Sequence, residues 1–258
     1  MEVIHSPHNA LYKLCHKLAT HRRDRLKQKK TLLDGAHLVA AALDAQWPLE
    51  KLLVTPDGLA NPENFALIVA SGVDATVLDP ALFQTLTELP SPTGLIALVA
   101  IPDAPAMRSD GLCLLLDGVQ DPGNVGSMLR TAAAAGVDQV LLSSQCADLW
   151  SPKVLRAGMG AHFALNLVER ADLLQFAEQF SGRLGALMLD GAVDLYEARL
   201  HGDLALVMGS EGQGVSEELS QRAQLRLKIP MHAGIESLNV GAATAICLYE
   251  RLRQTRAV

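Results

Sequence analysis

With 258 residues, 49% of them hydrophobic and 19% charged, the chain can bury a sizeable core and is long enough for two domains or one large α/β unit, which excludes bulk disorder. Cys15, Cys113, Cys146 and Cys247 stand far apart with no C-x-x-C, no apolar h-region opens the chain, and no run of 18 apolar residues occurs, so no disulfide framework, metal site, signal peptide or membrane span is expected, and a reducing cytoplasm is the expected setting. The formal net charge of −6 argues against a general polyanion binder, but residues 13–30 hold eight of the 22 Lys and Arg against one acid, while 31–105 hold only Lys51 against nine acids.

That basic run carries Arg22, Arg23, Arg25, Lys27, Lys29 and Lys30. They are candidate phosphate contacts; a solvated helix face accounts for the same residues. Residues 32–46 show helical apolar spacing after Gly35, 49–55 are strand-like, and 62–72 read as a helix closed by Gly72. Residues 74–79 and 94–101 are β-rich. The proline-containing stretch 102–111 reads as a linker, which divides the chain into domains 1–105 and 106–258.

Beyond the linker a strand-then-helix rhythm sets in. LCLLLD (112–117) is continuously apolar, as a strand buried on both faces would be. A glycine-rich turn and an Ala-rich helix over 125–135 follow, then a strand at 137–143 and a helix opened by Ser151-Pro152. Residues 163–168, 184–190, 204–209 and 225–230 are further strands, and the last helix spans about 238–253. This alternation predicts a parallel-sheet α/β domain, preceded by a smaller α/β domain.

In such sheets ligands sit beyond the carboxyl ends of the strands. Three loops there have unusual composition. In DGVQDPGNVGSMLRTAAAAG (117–136), Gly123 and Gly126 suit a tight turn, and Arg130 falls one helical turn after Gly126. A solvated helix arginine is the plain alternative. In MGSEGQGVS (208–216) three glycines bracket Glu211, whose charge would repel a phosphate, and the G-x-G-x-x-G spacing is missing. An ordinary nucleotide-binding Rossmann enzyme is therefore disfavoured, and a tight turn with a solvated Glu is the alternative. In IPMHAGIESLNVGAATA (229–245), Ser237 and Asn239 stand where helix caps belong.

Taken together, N-x-G-x-x-x-R at 124–130, G-S-E-G-x-G at 209–214 and I-P followed by S-L-N-V at 237–240 resemble the three signature motifs of the SpoU (TrmH-like) family of RNA 2′-O-ribose methyltransferases. The resemblance covers 107–258. SPKVLRAGMGAHF (151–163) is similar to a further family segment and contains Arg156, a candidate RNA contact. The first third resembles, more loosely, a small α/β substrate-binding domain carried by many members. The match departs at Asp34-Gly35, where Glu-Gly is usual, and at Gly158 and Gly241, where Ser is frequent.

The resemblance implies an α/β catalytic domain with a deep trefoil knot formed by 208–214 and 229–238. It implies S-adenosylmethionine as cofactor, held by backbone near Met208, Gly209, Ile229, Leu238 and Asn239. It implies a catalytic role for Arg130, with Asn124 and Glu211 orienting it and Ser237 and Asn239 shaping the pocket. It further implies an RNA substrate, rRNA more than tRNA, and a homodimer, with neither membrane nor metal. The competing expectation is a non-catalytic RNA-binding protein of the same fold.

Overall fold

The computed structural model describes residues 3–188, 193–234 and 236–256. Two compact units emerge, Met1–Asp103 with Trp150–Phe163, and Ala104–Leu149 with Ala164–Val258.

The first unit runs β1 (Val3–Ile4), α1 (Ala10–Thr20), α2 (Arg22–Gln28), β2 (Lys30–Asp34), α3 (Ala36–Asp44), β3 (Leu49–Val54), α4 (Pro56–Ala60), α5 (Pro62–Ser71), β4 (Ala75–Leu78), α6 (Pro80–Gln84) and β5 (Leu95–Ala100). Its mixed sheet has the order β1-β4-β3-β5-β2, with β5 antiparallel to both neighbours. Side-chain caps from Thr55, Asn61 and Asp79, each followed by Pro at the first helical position, start α4, α5 and α6. Gly72, left-handed at φ 63°, ends α5 as the sequence predicts. The basic run is not one helix face. It breaks at His21 between α1 and α2, turns at left-handed Lys29 (φ 48°), and delivers Lys30 into β2. Strand β2 is not legible from helical spacing that begins only after Gly35.

The second unit opens with β6 (Leu112–Asp117), α7 (Pro122–Ala134) and β7 (Gln139–Leu142). The chain then returns to the first unit for α8 (Pro152–Gly158) and a 3-10 turn at Ala161–Phe163. It continues with β8 (Asn166–Glu169), α9 (Leu173–Gln179), β9 (Arg183–Leu187), β10 (Val193–Asp194), β11 (Leu204–Gly209), α10 (Glu217–Arg222), β12 (Leu225–Lys228) and α11 (Val240–Arg256). Among the described residues every pairing in this sheet is parallel, in the order β10-β12-β9-β11-β6-β7-β8. Leu112 to Leu116 are all buried, which explains the unbroken apolar run. Cys113, Leu115, Leu141, Val168, Ala205 and Val207 join Leu173, Phe176 and Phe180 of the α9 region in one core layer.

Several expectations need correction. Gly123 and Gly126 lie inside α7, which starts at Pro122 rather than 125, because Asp121-Pro122 forms a cap followed by the first helical residue. The tight turn is made instead by Gly118, at φ 71°. The strand expected at 163–168 starts at Asn166, after the 3-10 turn. The strand expected at 184–190 covers Arg183–Leu187, and its last two expected positions lie outside the described residues.

Candidate active site

Three strand ends supply the site. Strand β6 ends at Asp117, and Asp121 then caps α7 by accepting the N–H of Asn124 at 2.8 Å. Strand β11 ends at Gly209, where an added Cβ would stand 1.9 Å from the Gly214 carbonyl carbon. Only glycine fits, because Ser210 and Gly214 fold the loop on itself with reciprocal backbone bonds of 3.0 and 2.9 Å. Strand β12 ends at Lys228, and the segment beyond it runs to Asn239, whose Oδ1 accepts from Gly241 N at 2.9 Å and Ala242 N at 3.3 Å at the start of α11. Helix α11 packs on α7 and on β11. At Gly241 an added Cβ would stand 3.1 Å from Asn239 Oδ1 and 3.6 Å from Ser127 Oγ, so the small residue keeps this crossing close.

A line of side-chain amides joins the three loops. Asn239 Nδ2 donates to Asn124 Oδ1 at 2.9 Å, and Asn124 Nδ2 donates to Glu211 Oε1 at 2.7 Å. The directions support one another. Glu211 Oε1 accepts from the Asn124 amino group, which leaves the Asn124 carbonyl for Asn239. Asn239 then presents its own carbonyl to the helix N–H groups. Capping and network formation are thus one arrangement. Residues 87 and 115 positions from Asn124 meet it directly.

Arg130 lies on the exposed face of α7 with no hydrogen bond or ion pair among the described residues. Glu211 and Asn124 bond each other rather than Arg130, so the expected orientation of that arginine by this pair is not the arrangement found. Ser237 is exposed, makes no hydrogen bond among the described residues, and does not cap α11; Asn239 does. Met208 is only 1% exposed and Gly209 is buried, whereas Ile229 is half-buried and Leu238 is 39% exposed. The described part of 229–238 makes no hydrogen bond with any described residue, so its backbone donors and acceptors are unclaimed among the described residues.

Sequence reasoning missed Asp117 and Asp121. Asp117 stands in register with Gly209, and its Oδ2 accepts the N–H of Ser216 at 2.9 Å. The one available signal was Asp-Pro at a helix start, which points to Asp121 as a cap. The cysteines offer no nucleophile. Burial pushes the Cys15 and Cys247 thiols up to about 12 and Cys113 to about 11. Among the described residues no cluster of His, Cys, Asp and Glu could hold a metal, and no helix is long and apolar enough to cross a membrane.

The candidate RNA contacts, all in the first unit, are not equally available. Arg25 is 5% exposed and its Nη1 donates to the carbonyls of Leu18 and Ala19 (3.4 Å to the latter), so it stabilises the α1–α2 turn and is removed as a phosphate contact. Lys29 pairs with Asp103, and Lys30 with Glu50. Arg156 bonds Asp34 at 3.1 Å and Glu88 at 2.9 Å, which makes it a clip of this unit rather than an open RNA contact. Arg22 is half-buried. Arg23 and Lys27, together with Lys13 and Lys17, remain exposed without ion pairs among the described residues.

A parallel α/β unit whose last two loops converge on the first, together with a small mixed-sheet unit, defines a two-unit protein with a candidate site at the strand ends. The family model described as the SpoU rRNA Methylase family matches residues 111–249, and one described as the MRM3-like substrate binding domain matches 9–97. The chain belongs to the SpoU rRNA methylase family. It is 33% identical over 253 residues to the 23S rRNA (guanosine(2553)-2′-O)-methyltransferase RlmP of Bacillus subtilis, covering 96% of this chain and 98% of that one. A solved RNA 2′-O ribose methyltransferase superposes with TM-score 0.85 at 33% identity over the full length of both chains. The SpoU methyltransferase AviRb from Streptomyces viridochromogenes, in complex with AdoMet, superposes with TM-score 0.86 at 25% identity, covering 96% and 99%.

Proposed function

We propose that this chain transfers a methyl group from S-adenosylmethionine to a ribose 2′-hydroxyl of ribosomal RNA. The observation that carries the reading is the Glu211–Asn124–Asn239 line, which draws the three signature loops together at the start of the helix that carries Arg130. The names of RlmP and of the family support rRNA over tRNA, as does the substrate-binding module matched at 9–97.

The residues present fit the cofactor. The chain at Gly209 approaches Gly214 too closely for any side chain, and the loop around Ile229 and Leu238 offers unclaimed N–H and C=O groups beside exposed apolar side chains. Donors and acceptors of that kind match an adenine edge, and apolar walls match its faces. Met208, being buried, would contribute through its backbone alone. When bound, S-adenosylmethionine supplies an electrophilic methyl group on a sulfonium. The chain's task is to aim a hydroxyl oxygen at it in line, and such positioning carries much of a rate enhancement. A guanidinium is a donor without an acceptor, so Arg130 is given an electrostatic role and not that of a base. With no carboxylate paired to it among the described residues, its charge is available to stabilise the developing alkoxide and to hold the neighbouring phosphate. Asn124 and Asn239 hold the loops in place, and Ser237 lies free to meet a ligand.

We read 106–258 as catalytic and 1–105 as the part that presents RNA through Lys13, Lys17, Arg23 and Lys27. The trefoil knot is proposed at 208–214 and 229–238, supported by β11 lying between β9 and β6, strands that precede it in the chain. A two-fold homodimer is proposed through α11, where Ala242 and Tyr249 (51% exposed) leave one face open. A cytoplasmic setting is supported by four buried free thiols. The test is labelled methyl transfer to total RNA from a strain lacking the enzyme, followed by mapping. A single labelled ribose in rRNA is expected; label in tRNA alone would overturn the substrate, and no label would overturn the activity.

A further inference from the structure

We propose that Asp117 is a positioning residue for this reaction, a clasp that closes the glycine-rich loop 210–216 and so fixes the place of Glu211; the inference rests on the methyl-transfer reading above. The loop departs from Gly209, which stands in register with Asp117 across the β11–β6 ladder. It returns at Ser216, whose N–H is held by the side chain of that same Asp117 at 2.9 Å. Both ends of the loop are therefore fixed to one residue on a buried strand. Between them Gly212, Gly214 and the reciprocal Ser210–Gly214 pair form a narrow turn whose one apolar side chain, Val215, packs on the core next to Ser216 and leaves 210–214 without apolar anchorage. Glycine-rich backbone loses more freedom on ordering than other backbone, so such a turn needs an external restraint. The helix that follows is anchored in the core by Leu219, but it is short, covering only Glu217–Arg222, and Ser216 makes no side-chain cap to it.

Glu211 is exposed at the tip of this loop, and its bond from Asn124 is the only one it makes among the described residues. Loosening the clasp lets the tip drift, and the Asn124–Asn239 line then loses its charged terminus. The clasp is one hydrogen bond from a backbone N–H to a carboxylate, so its two halves can be removed separately. Asp117→Ala deletes the acceptor, and Asp117→Asn keeps one. Ser216→Pro deletes the donor, at a residue whose φ of −57° a proline ring accepts.

The experiment has two arms. Hydrogen exchange on the ligand-free chain should show the Ser210 and Gly214 amides exchanging about tenfold faster in Asp117→Ala and in Ser216→Pro, the size of one charge-assisted bond. Steady-state kinetics should show kcat lowered about 100-fold in both, as for a misplacement of about 1 Å. The double variant should be no worse than either single one, and Asp117→Asn should restore most of kcat. Unchanged exchange in both single variants would sink the clasp. So would additive losses in the double variant, or an Asn variant as impaired as the Ala variant. Wild-type chain that failed to bind S-adenosylhomocysteine by calorimetry would sink the methyl-transfer reading, with the exchange arm still deciding whether the loop is clasped.

Discussion

In the first unit Arg156 reaches Asp34 at 3.1 Å and Glu88 at 2.9 Å, with its own side chain 18% exposed and that of Asp34 1% exposed. In the second unit Arg130 stands exposed with no carboxylate paired to it among the described residues. Both arginines sit in short motifs of the same family, and the sequence makes both candidates for function. What separates them is the placement of acids. Around Arg156 the carboxylates come from β2 and from the loop before β5, and they turn a cation into a structural clip for the 150–163 excursion. In the second unit Glu211 is engaged by Asn124, and no carboxylate among the described residues pairs with Arg130.

The contrast can be broken most directly at Arg130. Arg130→Ala is expected to lower kcat by about 10²–10³, the usual size of a lost electrostatic stabiliser, with S-adenosylhomocysteine affinity by calorimetry within about twofold of wild type. Normal turnover would remove Arg130 from the chemistry. The mirror experiment is Arg156→Ala, which leaves Asp34 buried with only the Thr87 hydroxyl, among the described residues, donating to it. It should cost about 3 kcal/mol in denaturant unfolding while leaving the salt dependence of RNA binding unchanged. A weaker salt slope with intact stability would return Arg156 to the RNA contacts.

Smaller effects sharpen the same distinction. Changing Lys13, Lys17, Arg23 and Lys27 to Gln should flatten the slope of log affinity against log salt by about 0.7–0.9 for each phosphate no longer neutralised. Arg25→Gln should instead lower stability, because its guanidinium holds carbonyls at the end of α1. An equal flattening from Arg25→Gln would contradict its burial.

The smallest expected effect concerns pH. Burial holds the Asp34 carboxyl above the ordinary aspartate range, against the opposing pull of Thr87 and Arg156. The native carboxyl therefore keeps its proton to higher pH than the unfolded one. Its contribution to stability is fullest below the ordinary aspartate value and declines as pH rises from there through the raised native value. Subtracting the Tm–pH profile of Asp34→Asn from that of wild type should reveal this decline. A difference that rises with pH over the same window would show that the ion pair outweighs burial.

The sequence by itself determined the elements whose signals are local. The apolar run 112–117, the cap-proline starts of α5 and α8 and the stop at Gly72 all follow from periodicity and capping chemistry within a few residues. It also pointed to Glu211 and Asn239 through loops of unusual composition, and to Asn124 through the family resemblance. Only the tertiary structure decided what those residues touch. Asp117 as a clasp, Asn124 rather than Arg130 as the partner of Glu211, and the removal of Arg25 and Arg156 from the open cations all depend on groups brought together from distant parts of the chain. A spacing pattern records which side chains share a face, but the charge a side chain offers to a ligand depends on the carbonyls and carboxylates that folding sets beside it.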